Sequence, residues 1–283
     1  MKNRKWTVLL ILCLLLFGSA SAVLFGQARV KREAQDTYET LKQKTKKPET
    51  PEQQPEEPEE PESMAGRLSK ALGIDVPERT FDWEALKQEN ADIYAWLYVP
   101  GTKVDYPVLQ HPTLDDFYLD HNLDGSKGYP GCIYTQKLNS RTFTDWNTML
   151  YGHNNFQSGI MFQTLHKFED NVFFEENRYA FIYTPEKIFA YEIFAACEFS
   201  DDHILKKYNF DTAEGYGAFL NQVKQSRGMK DHVSRETAVD VNSRLLTMST
   251  CINGKPNNRW IVSAVLLEPE EETGEPAGAE QTD

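Results

Sequence analysis

Cys251 ends an apolar stretch with β character, Leu245–Cys251, whose last residues read Thr-Met-Ser-Thr-Cys. Asn253, Gly254 and Pro256 mark a loop, and Arg259 stands just ahead of a second apolar stretch, Trp260–Leu267. If these stretches pair as an antiparallel hairpin, the end of one lies opposite the start of the other and Cys251 neighbours Arg259. A thiol must ionise before it attacks, and a nearby cation favours the thiolate. A guanidinium also offers several donors to an oxyanion forming on an attacked carbonyl.

A cysteine nucleophile needs a proton partner, normally histidine. Of the six histidines, His153 follows the apolar run Met149-Leu150-Tyr151-Gly152 and gives way to Asn154-Asn155, a strand end opening into a loop. Catalytic groups favour such positions on a rigid scaffold. On pattern alone, a buried, hydrogen-bonded histidine remains the competing reading, as a small core residue does for Cys251. His111, His121, His166, His203 and His232 lie in polar or helical contexts and read as surface or packing residues. Cys132 and Cys197 sit in apolar runs beside Ile133 and Ala196 and suit the core reading better, with a disulfide between them left open. No CxxC, metal-ligand cluster, phosphate loop or cofactor motif is found, so no metal or cofactor is expected.

Positioning these groups falls to a mostly β region over roughly 64–268. Val104, Tyr106 and Val108 alternate with Lys103, Asp105 and Pro107, a half-buried strand whose proline suggests a sheet edge. Further strands are expected at Cys132–Thr135, Thr148–Gly152, Tyr179–Thr184, Ile188–Phe199, Leu245–Cys251 and Trp260–Leu267, with a hairpin turn at 185–187. Asp82 can cap a short helix reaching about Asn90. Helical patterns recur at Ile160–Phe168 and at Thr212–Lys224, where Tyr216, Phe219, Leu220 and Val223 share one face. Many strands with a few helical inserts point to a closed or nearly closed barrel.

The chain has 283 residues and a net charge of −13, which argues against a nucleic-acid binder. Ten acidic residues fall in 33–63 and six in 269–283, so much of the charge belongs to the flanks. The PETPEQQPEEPEEPE run has no hydrophobic period and reads as an extended spacer. Lys2, Arg4 and Lys5 precede an uncharged apolar run from Trp6 to Phe25, and Arg29, Lys31 and Arg32 follow it. About 20 apolar residues can span a bilayer. The expectation is therefore a single-pass anchor at the cell membrane with the remaining chain outside, although Ala20-Ser21-Ala22 also resembles a cleavage site. The expected organisation is a basic end plus anchor over 1–32, a disordered stalk over 33–63, a catalytic domain over 64–268 and a disordered acidic tail over 269–283.

Thr247-Met248-Ser249-Thr250-Cys251 resembles the TLxTC signature of sortases, with Met in place of Leu, a volume-conserving exchange. Leu150-Tyr151-Gly152-His153-Asn154 resembles the strand end that carries the sortase histidine, and Arg259 before Trp260-Ile261-Val262 matches the sortase arginine. Trp96–Gly101 (WLYVPG), Asp105–Leu109 (DYPVL), Tyr118–Asn122 (YLDHN), Met161-Phe162 and the Thr212–Lys224 helix look most like class B sortases. The resemblance covers about 80–268 in consistent order.

It implies a sortase-type β-barrel of about eight strands with a short N-terminal helix and helical inserts. It also implies a cysteine transpeptidase in the thiol peptidase class. Such an enzyme cuts a sorting signal of LPxTG or NPxTN type after its threonine through a thioester, and passes the exported protein to an amine of peptidoglycan precursor or a pilin. On that reading Cys251 is the nucleophile, His153 the acid/base and Arg259 the oxyanion stabiliser, while Tyr151, Ser249 and Asn122 line the peptide groove. An exported cysteine peptidase that hydrolyses its acyl-enzyme and a non-enzymatic scaffold are the competing functions.

Overall fold

Leu245–Ile252 and Lys255–Leu266 form one antiparallel hairpin turned at Asn253 and Gly254, with Cys251 directly opposite Arg259. The computed structural model describes Arg29 and residues 32–33, 35–43, 62–155 and 159–268. In chain order the strands are β1 (Ile93–Tyr98), β2 (Asp105–Leu109), β3 (Ile133–Tyr134), β4 (Asn147–Tyr151), β5 (Asn154–Asn155), β6 (Ile160–Met161), β7 (Tyr179–Tyr183), β8 (Ile188–Ser200), β9 (His232–Val233), β10 (Leu245–Ile252) and β11 (Lys255–Leu266). The order β11-β10-β4-β3-β2-β1-β7-β8 closes on itself because β8 also pairs with β11. The result is an eight-stranded mixed barrel, with β9 appended to β8. Closure leaves no free edge among those eight strands.

The barrel interior is apolar. Leu97, Val108, Leu150, Ile182, Ile193, Met248 and Val262 come from seven different strands and are all but inaccessible to solvent. A second cluster lies outside the β8–β11 wall, where Tyr216, Phe219, Leu220 and Val223 of the Ala213–Lys224 helix pack on Phe194, Cys197 and Ile261. This is the helix expected from the 3.6-residue period, and Thr212 caps it by accepting from Gly215 N. The helix at Trp83–Glu89 likewise begins after Asp82, whose carboxylate accepts from Ala85 N at 3.0 Å.

Several expectations need correction. Pro107 does not mark an edge: β2 lies between β1 and β3. The proline is tolerated because β3 pairs only with Val108 and Leu109, so its missing N–H falls where the ladder has no partner. The helical pattern at Ile160–Phe168 becomes β6 followed by a 3₁₀ helix, Phe162–Glu169, after Met161 adopts a positive φ of 56°. Cys132 and Cys197 are free and buried, not bridged. Within the stretch read as a stalk, residues 35–43 are helical, with Tyr38 and Leu41 buried and Tyr38 Oη donating to Gly131 O at 3.1 Å.

The expected single-pass membrane localisation is also corrected. Among the described residues no helix is long and apolar enough to cross a membrane. The 12-residue Ala213–Lys224 helix spans only about 18 Å, against a hydrocarbon core of about 30 Å. The Trp6–Phe25 run behind that expectation lies outside the described residues, as do 44–61 of the expected stalk and the expected acidic tail at 269–283.

Candidate active site

Three adjacent strands set the site. β4 runs parallel to β10 with Tyr151 registered against Ser249, and Gly152 N donates to Ser249 O at 3.3 Å. Two residues beyond that pair on each strand stand His153 and Cys251, and Arg259 is the registered partner of Cys251 on β11. Neighbouring strands lie about 4.8 Å apart, so Cys251 and Arg259 are close neighbours, and His153 stands two residues past the end of β4 at the same end of the barrel wall. Register is locked by a buried bond on the face of the wall opposite Met248 and Leu150, where Thr247 Oγ1 donates to Asn147 Oδ1 at 2.9 Å across the β4–β10 pair. A one-residue slip would break this buried bond and turn Met248 and Leu150 away from the core.

The site is open where chemistry needs it. Cys251 is exposed, whereas Met248, Ser249 and Thr250 before it are buried. Arg259 is half-buried, and its Nη1 donates to Pro256 O and Asn258 O, both at 2.9 Å. Those bonds fold the side chain back over its own hairpin and use two of the five donors a guanidinium carries. His153 follows Gly152, where an added Cβ would meet Ile133 Cδ1 at 2.4 Å, so only glycine lets the chain turn this close to the core. The imidazole Nε2 lies 2.6 Å from Leu119 O and so donates to it. Tyr129 covers the ring at a centroid distance of 5.2 Å. Burial first, and the neighbouring Cys251 second, push the Tyr129 phenol up to about 12, so it stays neutral beside the thiol.

The three residues expected to line the groove are distributed differently. Ser249 and Tyr151 are register partners immediately below the site, and Tyr151 stacks on Tyr134 at 5.5 Å. The Tyr151 hydroxyl is buried without a hydrogen-bond partner among the described residues, and burial raises its pKa. Asn122 braces the loop that carries Tyr129: its Oδ1 accepts from Gly131 N at 3.2 Å and its Nδ2 donates to Ser126 Oγ at 3.3 Å.

Several neighbours of the site were not singled out by pattern. Asn154 Nδ2 donates to Cys251 O at 2.9 Å, tying the histidine loop to the cysteine strand. His166, read as a surface or packing residue, places Nε2 3.0 Å from the same carbonyl and Nδ1 2.6 Å from Glu169 Oε1. Burial opposes ionisation of Glu169, but bonds from Lys230 and His166 outweigh it and hold the carboxyl below its ordinary range. Tyr129, Leu119 and His166 are far from Cys251 in sequence, and no local period marks them.

The closed mixed β-barrel thus carries a cysteine, a histidine and an arginine at one end of its wall. The sortase domain family matches residues 97–267, and the chain belongs to that family. It is most like the class B members. Sortase B of Listeria monocytogenes is 32% identical over 184 residues, which cover 64% of this chain and 72% of that protein. The X-ray structure of Clostridium perfringens sortase B superposes with a TM-score of 0.59 at 28% identity, covering 66% of this chain and 100% of that one. The Staphylococcus aureus sortase B–substrate complex shares the fold at a TM-score of 0.61 and 22% identity, covering 84% of this chain and 97% of that one.

Proposed function

We propose that the chain is a cysteine transpeptidase that cuts a sorting signal after its threonine and transfers the acyl group to an amine of the cell wall. The observation that carries this reading is the pairing of Cys251 with Arg259 on β10 and β11, with His153 just past the end of β4 and the thiol exposed. In the first half-reaction the Cys251 thiolate attacks the threonine carbonyl. Arg259, on the adjacent strand, donates to the oxyanion that forms. His153, released from Leu119 O as substrate fills the rim, protonates the leaving amine, and a thioester to Cys251 remains. In the second half-reaction His153 takes a proton from the incoming amine, which displaces the thiolate and forms a new amide. No bond to the solvent is needed, and hydrolysis is the side reaction when no amine is present. The resemblance assigns Tyr151 and Ser249, immediately below the site, to the peptide groove.

The test is to incubate the purified protein with LPxTG- and NPxTN-type peptides, with and without triglycine. The expected result is a thioester on Cys251 by mass spectrometry and an amide adduct once triglycine is added. An acyl group on any other residue removes the assignment, and free acid alone in the presence of triglycine makes the enzyme a peptidase.

A further inference from the structure

The backbone carbonyl of Cys251 is held by two side chains that belong to other elements. Asn154 Nδ2, Cys251 O and His166 Nε2 form a closed triangle with sides of 2.9, 3.0 and 3.1 Å. This carbonyl sits where the β10–β11 register shifts, between Cys251 and Ile252, so the regular ladder does not fix it. His166 is itself fixed on two further sides, by the ring of Trp260 and by Glu169. Its ring stacks on Trp260 at 5.8 Å and 23°, Trp260 Nε1 donates to Leu165 O at 3.1 Å, and Nδ1–H donates to Glu169. Glu169 is in turn bonded by Lys230 on the far side.

We infer that His166, anchored by Glu169, is a positioning residue that sets the backbone of Cys251 and thereby aims its sulfur toward His153 and Arg259. The inference rests on Cys251 being the nucleophile. With both ring nitrogens protonated, Nε2–H donates to the Cys251 carbonyl. With Nδ1 alone protonated, Nε2 accepts the second Asn154 N–H, and Asn154 keeps its bond to the carbonyl. Each form makes two of the three sides: the charged ring donates to the carbonyl beside Asn154, and the neutral ring is held to the carbonyl through Asn154. Because Asn154 follows His153 directly, the clamp also ties acid/base and nucleophile to one point. A misplacement of about 1 Å at a nucleophile costs up to about 10² in rate, so the clamp acts on turnover rather than on peptide affinity.

The experiment compares the full-length parent with His166→Phe, His166→Gln, Glu169→Leu and Cys251→Ala on one cleavable peptide, following thioester formation in a single turnover and steady-state kcat and KM. Phenylalanine keeps the stack on Trp260 but empties one corner of the triangle, whereas the glutamine amide can both donate and accept there. His166→Phe is expected to lose about tenfold in acylation rate and kcat with KM within about twofold. His166→Gln, which loses the ring, is expected to recover to within about threefold of the parent. Parental kcat in His166→Phe, equal losses in Phe and Gln, or a change confined to KM would each overturn the inference. If His166→Phe does not fold, Glu169→Leu takes its place: a similar loss in kcat supports the clamp and parental kcat overturns it. Residual activity in Cys251→Ala would instead remove the nucleophile assignment, which separates that failure from this one.

Discussion

Cys251 and the pair Cys132 and Cys197 are the same chemical group in two opposite settings. Cys132 lies beneath the loop that carries Tyr129, with Tyr38 Oη and His121 O against its sulfur at 3.6 Å, and Cys197 lies in the wall between β8 and the Ala213–Lys224 helix. Burial pushes both thiols from an ordinary 9.0 up to about 12, so neither forms thiolate near neutral pH. Cys251 is one residue past the buried Thr250, at the point where β10 leaves the core, exposed and opposite an arginine. The same element therefore supplies core at Met248 and an exposed thiol at Cys251, the contrast on which the proposed nucleophile role rests.

The sharpest way to break this contrast is to remove each sulfur. Cys251→Ala is expected to lose turnover by a factor on the order of 10⁴ or more and to form no acyl-enzyme, while Cys132→Ala and Cys197→Ala keep parental kcat. Peptide cleavage by Cys251→Ala would end the comparison. Next in size is the cation. Arg259→Lys keeps the charge but loses the planar fork, and a drop of about 10²–10³ in kcat is expected, with KM little changed. Near-parental turnover with lysine would mean that charge alone distinguishes the site.

Alkylation sharpens the difference without mutation. Iodoacetamide at pH 8 is expected to label Cys251 in the native protein, and to reach Cys132 and Cys197 only after unfolding in guanidinium, as read by peptide mass spectrometry. Equal labelling of Cys132, Cys197 and Cys251 in the native state would contradict their placement. The smallest effect is on stability. A thiol whose pKa is raised by folding contributes stability that is complete below its unfolded value and lost as pH rises through the folded value. Stability should therefore fall between about pH 9 and 12, and Cys132→Ala/Cys197→Ala should flatten that fall. At neutral pH each alanine is expected to cost about 1 kcal/mol from a small cavity, a shift of about 2–4 °C in Tm. An unchanged alkaline limb in the double variant would assign it to the buried tyrosines instead.

The contrast was legible in part. The hairpin is visible because it is local: apolar stretches flank Asn253-Gly254, and the pairing of Cys251 with Arg259 follows from strand periodicity. His153 was legible as a strand end, and the TMSTC and LYGHN motifs tied it to the others by resemblance. What pattern could not supply are side chains recruited across the chain, since a period describes a residue's own element and not what packs against it. His166 has the local character of a surface helix position, yet Trp260 and the Cys251 carbonyl enclose it. Pro107 misled for the same reason, because the length of its neighbour β3 decides whether a missing N–H matters. Tyr38 and Leu41 lie in a charged stretch beside a Pro/Glu-rich run, which hides the one short face that packs.

The turn at Asn253-Gly254 has a consequence for the order in which the enzyme assembles. Cys251 and Arg259 share a hairpin, and hairpins close on a timescale of about microseconds. The histidine loop meets the same strand across a separation of 97 residues, as the Asn154 bond to Cys251 measures, and such contacts form late because loop closure must come first. On the proposed assignment, the chain is expected to pair cysteine with arginine before the histidine joins them, so turnover of a thioester would wait until the barrel wall is complete.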